Sequence, residues 1–192
     1  MTQTVHCLLN IKHNFLNLQH VSRPLYCIAP TQFSRFIKSL VLLLFQNKMY
    51  MDTLYGWEVT LLEPNNFWDI IPDEISQSYH FYNIPISSNV THKNNPLRII
   101  RDIATVDDFV SFKLDVDTPY VEIPLALQIA NDPSMAALID EFFIEIHFDC
   151  PLLRGCWGTV PKSIDGFTLD RVSAMKILQK FRTMGIRSHF WP

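Results

Sequence analysis

The sequence predicts an α/β fold, a mostly parallel sheet flanked by helices, and three observations carry that expectation. From Leu54 onward, stretches with strand character alternate with stretches of helical periodicity, the pattern of a layered α/β domain. Of the 192 residues, 48% are apolar and 18% charged, which suits a buried core and not a disordered chain. The strand-like stretches end in acidic residues, and in open parallel sheets ligands sit beyond the carboxyl ends of the strands.

The length favours one folded domain, but charge divides the chain. Residues 1–51 hold five basic side chains (Lys12, Arg23, Arg35, Lys38, Lys48) and no Asp or Glu, whereas residues 52–192 hold 11 basic and 19 acidic residues. Residues 1–53 are therefore set apart as an atypical N-terminal segment, and 54–192 form the α/β domain. An organelle leader is disfavoured because serines are few there and Pro24 and Pro30 interrupt any amphipathic helix. The longest apolar run, 40–45, is far shorter than the ~18 to 20 residues needed to cross a bilayer. The expectation is a cytoplasmic protein with no membrane span. Cys7, Cys27, Cys150 and Cys156 form no CxxC pair, so neither a zinc ribbon nor a disulfide framework is indicated.

Residues 54–63 are rich in β-formers and stop at Pro64, which reads as a strand ending in Glu58 or Glu63. Residues 68–75 read as a proline-interrupted loop or short helix. Residues 78–86 look like an edge-like strand, because Pro85 cannot donate to a ladder. Pro96 then opens a short helix through Ala104, with Leu97, Ile100 and Ile103 recurring along it. The strongest strand is 109–116, where Val110, Phe112 and Leu114 alternate with Ser111, Lys113 and Asp115. Pro119 opens a helix to Asn131, and a second short helix covers 133–140. Residues 141–149 form another strand, with Phe142, Ile144, Ile146 and Phe148 on one face and Phe143, Glu145 and His147 on the other. Leu169, Val172, Met175, Leu178 and Phe181 mark a helix ended by Gly185, and 186–191 a last short strand.

The acidic strand ends carry what chemistry there is. Asp115 and Asp117 leave a hydrophobic strand and enter a Thr-Pro-Tyr turn, where the next helix begins and its N–H groups favour an ionised acid. Helix capping alone accounts for such a pair as readily as a site does. Glu145 and His147 share a strand face and could point toward those acids, and carboxylates with imidazole are competent ligands for Mn²⁺ or Mg²⁺. A strand histidine bonded to a neighbouring carboxylate is the commoner arrangement. No GxSxG, GxxxxGK[ST] or GxGxxG motif occurs, and the dispersed basic residues of an acidic body disfavour a nucleic-acid groove.

The stretch FVSFKLDVD (109–117), followed by Glu122, resembles the KIDVEG segment and following Glu of FkbM-type methyltransferases, which use S-adenosylmethionine. YGWE (55–58) upstream, EFFIEIHF (141–148) and the closing GIRSHFWP (185–192) extend the resemblance over roughly 54–191. It implies a Rossmann-like fold and O-methyl transfer to a small-molecule or sugar hydroxyl. By the same resemblance Glu58 binds the cofactor ribose, Asp115 and Asp117 lie near the methyl group and acceptor, and Lys113, Glu122, Glu145 and His147 support substrate or those acids. The pattern departs at Thr118-Pro119, where the family has glycine. Residues 1–53 contain no glycine, so no glycine-rich first loop is recognisable and the fold is expected to lack its first βα unit. Two other readings use the same residues: a metal-dependent glycosyltransferase, whose DxD pattern Asp-Val-Asp matches, and a degenerate module whose carboxylates only cap helices.

Overall fold

A computed structural model of the chain describes residues 25–26, 53–69, 71–148 and 160–191. The fold is mixed α/β, built on small parallel sheets. The strands are β1 (Leu25–Tyr26), β2 (Thr53–Trp57), β3 (Tyr79–Tyr82), β4 (Ser111–Leu114), β5 (Glu141–Ile144), β6 (Ser163–Ile164), β7 (Phe167–Thr168) and β8 (Arg187–Phe190). The helices are α1 (Pro64–Trp68), α2 (Asp73–Ser76), α3 (Pro96–Ile103), α4 (Pro119–Asn131), α5 (Pro133–Ala136) and α6 (Arg171–Thr183). β1, β2 and β3 form one parallel sheet in that order, β4, β5 and β8 another, and β6–β7 is an antiparallel hairpin. β1 also runs close to β4, so the two parallel sheets meet there.

β1 corrects one expectation. A strand does precede Leu54: Leu25 pairs with Thr53 and Tyr26 with Leu54. Two residues within a segment lacking Asp, Glu and Gly offer no alternation to recognise, which is why the sequence hides them. Residues 27–52 lie outside the described residues, as do all four cysteines and Asp149.

Apart from α1 and the β6–β7 hairpin, which the sequence does not predict, the other elements are those the periodicity predicts, with shorter strands. β2 stops at Trp57 because the backbone turns immediately after Glu58, and the Asn83 side chain ties that turn down. Its amide donates to the carbonyls of Glu58 (2.8 Å) and Thr60 (2.7 Å), and its oxygen accepts from the Leu62 N–H (2.8 Å). α4 begins at Pro119, as the N1 preference predicts, and α6 begins one residue after Asp170, whose side chain caps the Ser173 N–H at 2.7 Å. Gly185, at φ +94°, closes α6 with a left-handed residue.

One face of the β4–β5–β8 sheet packs a dry core. Phe112 stacks on Phe142 with ring centroids 5.3 Å apart, and Phe142 meets Phe181 of α6 edge-on at 5.1 Å. Ile123, Ala126 and Ile129 of α4 are buried in the same cluster. Fully burying an aliphatic or Phe side chain contributes about 1.5 to 3 kcal/mol each, so this face holds the strand ends in place. Every residue of β4 is buried, including Ser111 and Lys113 on the polar face. The alternation read in the sequence therefore separates an apolar face from a polar one, not an inside from an outside. Among the described residues no helix is long and apolar enough to cross a membrane.

Candidate functional site

The polar face of β4 and β5 gathers the charged residues at the carboxyl ends of both strands. Because the two strands run parallel with Lys113 opposite Phe143 and Leu114 opposite Ile144, Asp115 and Glu145 leave the ladder side by side. The Glu145 N–H donates to the Leu114 carbonyl at 3.0 Å, which carries this register one step past the strands. Asp117, two residues beyond Asp115, sits at φ +50°, a conformation that Asp tolerates better than most residues and that turns its side chain outward. It is exposed, at 44% of its side chain, while the side chains of Asp115, Glu145 and His147 are each under 10%.

Asp115 and Asp117, read as a pair in the sequence, have different surroundings. Asp115 Oδ2 lies 2.6 Å from Lys113 Nζ in a buried ion pair, and that ammonium also sits 4.1 Å from the ring centroid of Trp191. Burial pulls the Lys113 ammonium down to about 8, the Asp115 charge opposing the shift. Asp117 Oδ1 instead lies 3.8 Å from His147 Nε2, and Glu145 Oε2 approaches the same nitrogen at 2.9 Å. That second approach is a short ion-pair contact, and Glu145 Oε2 has no hydrogen-bond partner among the described residues.

Glu122, on the first turn of α4, completes the cluster from the helix side. It is fully buried, and its Oε1 accepts the Val116 N–H at 2.8 Å, tying the strand end to the helix start. Burial first, then the negative neighbours Glu145, Asp115 and Asp117, push its carboxyl well above the usual range, which favours the neutral acid. Two groups of potential ligand atoms, all within 4.8 Å of one another in each group, result: Asp117, Glu145 and His147, and Asp115, Glu122 and Glu145.

No family model, curated protein or solved structure matches this chain.

Six of the seven residues singled out in the sequence thus converge: Lys113, Asp115, Asp117, Glu122, Glu145 and His147. Glu58 does not join that convergence. It stands at the end of β2, fully buried, with Oε1 accepting the Thr60 N–H at 2.5 Å and Oε2 without a hydrogen-bond partner among the described residues. Burial raises its carboxyl, while the N–H groups of Thr60 and Val59 oppose the shift. Glu63, the other acid considered for that strand end, is exposed. Sequence reasoning missed Trp191 as the ring beside Lys113. Its signal was positional only, since Ile144 pairs with Phe190, one residue before it.

Proposed function

We propose that this chain carries a methyltransferase-like domain that transfers a methyl group from S-adenosylmethionine to a hydroxyl of a small-molecule or sugar acceptor. The observation that supports it most is the pair of parallel three-stranded sheets, β1-β2-β3 and β4-β5-β8, which approach each other at β1 and β4. Set edge to edge there, they would follow the order of a doubly wound Rossmann-like sheet, whose ligand crevice would open where the order reverses, between β1 and β4. Glu58 and the Asp115–Asp117 turn both lie at carboxyl ends of strands next to that crevice.

Glu58 is where fit to the cofactor can be judged. A buried carboxylate oxygen with no hydrogen-bond partner is rare unless something else satisfies it, and a ribose hydroxyl is a donor of the right kind. Glu58 would hold the ribose in this reading. When bound, the cofactor supplies an activated methyl group on sulfur for in-line displacement by oxygen. The chain's own residues then have two tasks. Asp117, exposed at the strand end, accepts the proton of the acceptor hydroxyl at a carboxylate oxygen. Lys113 keeps Asp115 ionised, and Glu122 fixes the turn between Asp115 and Asp117 through Val116, so the accepting oxygen is positioned before the acceptor arrives. The glycosyltransferase reading has less support, because Lys113 occupies Asp115 and the two aspartates do not face one cation together.

Isothermal titration with S-adenosylmethionine in EDTA tests the proposal. The expected result is saturable binding of one cofactor per chain, weakened about tenfold or more in Glu58→Gln, whose amide oxygen can still accept from Thr60 but whose NH₂ cannot accept a hydroxyl. Folded protein that gives no heat at millimolar cofactor would overturn it.

A further inference from the structure

We infer that Asp117, Glu145 and His147 form a binding site for one divalent cation of the Mn²⁺ type. The partners within the cluster lead there. Lys113 Nζ takes Asp115 Oδ2 at 2.6 Å, and Glu122 Oε1 takes the Val116 N–H at 2.8 Å. Asp117 and Glu145 are left facing the His147 imidazole, with the ligand atoms of all three within 4.8 Å of one another. The second observation is Glu145 itself. It is 6% exposed, and its Oε2 has no hydrogen bond among the described residues although it lies 2.9 Å from His147 Nε2. An ionised carboxylate buried without such a bond costs several kcal/mol unless paired.

The distances suit an ion. Adjacent ligands of an octahedral cation with bonds of ~2.1 Å stand about 3.0 Å apart, and opposite ones about 4.2 Å. The separation of 2.9 Å from His147 Nε2 to Glu145 Oε2 is close to the first value, and that of 3.8 Å to Asp117 Oδ1 lies between the two. Two carboxylates and one imidazole make a mixed oxygen–nitrogen set, suited to Mn²⁺ and poorer for Ca²⁺, which takes oxygens alone. Asp117 is the exposed member, so the ion enters from its side, and the coordination positions beyond the three side chains face outward to water or to an oxygen of a substrate. The site stands whether or not the domain binds S-adenosylmethionine. Under the methyltransferase reading, the same ion would hold the acceptor hydroxyl and lower its pKa.

The test is a titration of the full chain with Mn²⁺ alone, followed by electron paramagnetic resonance of the free ion and by thermal melting. One ion per chain should bind saturably below ~100 μM and raise Tm by an amount that grows with its concentration. Asp117→Asn, which keeps the left-handed backbone preference and an exposed position, should weaken binding at least tenfold without unfolding the chain. His147→Gln should do the same, and Asp107→Asn, an exposed acid outside the cluster, should leave it unchanged. No saturable binding up to 1 mM Mn²⁺, or binding that Asp117→Asn does not alter, overturns the site. Since this titration contains no cofactor and the cofactor titration contains EDTA, failure of one is read separately from failure of the other.

Discussion

At the scale of single residues, Glu122 is the most informative side chain in the molecule. It is a carboxyl enclosed on all sides, with one oxygen bonded to Val116 and three acidic neighbours. A folded-state pKa raised above the unfolded value means that the native state keeps a proton the unfolded chain releases. Stability is therefore lost as pH rises from about 4.3, the ordinary value for Glu, toward the raised value. Glu122→Gln mimics the neutral acid, keeps an acceptor for the Val116 N–H and removes that loss. Urea unfolding in EDTA should find the variant close to the parent at pH 4 and progressively more stable than it by pH 7. Glu122→Ala should lose about 1 to 3 kcal/mol at pH 4, because it leaves the buried Val116 N–H without its acceptor, and the deficit should shrink toward pH 7 because the variant lacks the titrating carboxyl. A Gln variant that is less stable at pH 7 than at pH 4, relative to the parent, would mean that Glu122 is ionised in the folded state. Its burial was not legible in the sequence. Glu at the first turn of a helix reads as an exposed partner of the helix dipole, and only the resemblance singled it out.

Whole elements were easier to read where their ends carry a local cause. α3, α4 and α5 each begin at a proline, with φ pre-set and no N–H to satisfy, and all three start where the sequence predicts. Asp132, at the hinge between α4 and α5, shows the same logic in a side chain. Oδ1 accepts from the Ser134 N–H at 2.9 Å, the Ser134 hydroxyl at 2.6 Å and the Met135 N–H at 3.1 Å, while Oδ2 lies 2.8 Å from Arg101 of α3. The Ser134 hydroxyl, the Arg101 guanidinium and the Met135 N–H hold this carboxyl below its usual range. The pair with Arg101 is half in water and contributes little, so the cap dominates. A depressed folded pKa contributes stability that is present above the unfolded Asp value of about 3.9 and lost as pH falls below it. Asp132→Ala should cost ~1 kcal/mol at pH 7, and the gap in Tm between variant and parent should shrink between pH 4 and pH 2. A gap independent of pH would assign the effect to packing. Strand lengths, by contrast, were over-read: 78–86 yields only Tyr79–Tyr82, because β-forming composition continues into Asn83, whose side chain serves the turn after β2 instead of a ladder.

The whole molecule depends on its least conspicuous strand. The charge break near residue 52 reads as a boundary between an atypical N-terminal segment and the α/β domain, yet β1 on the far side of that break pairs with β2 and runs close to β4, where the two parallel sheets approach. No sequence pattern marks it, because the position of a two-residue strand is set by its neighbours and not by its own alternation. Without it, β2 and β3 are a pair joined by their ladder and by rings stacked across it, Tyr55 on His80 at 4.8 Å and Trp57 on Tyr82 at 5.3 Å. Two strands alone are marginal in water, whereas β4, β5 and β8 keep three strands and the packing of α4 and α6. Tyr26→Pro removes one N–H from the strand that pairs with β2 and approaches β4, and fixes its φ. Hydrogen exchange of the full-length variant should then show a divided response. The Leu54 and Glu58 amides, which bond to Ser78 and Tyr82, should lose protection, while the Glu145 amide, bonded to Leu114, keeps most of its own. Equal loss in both halves would show that the sheet folds as one unit whose stability passes through β1. Unchanged protection everywhere would show that β1 joins nothing, and with it the crevice between β1 and β4 would lose its basis.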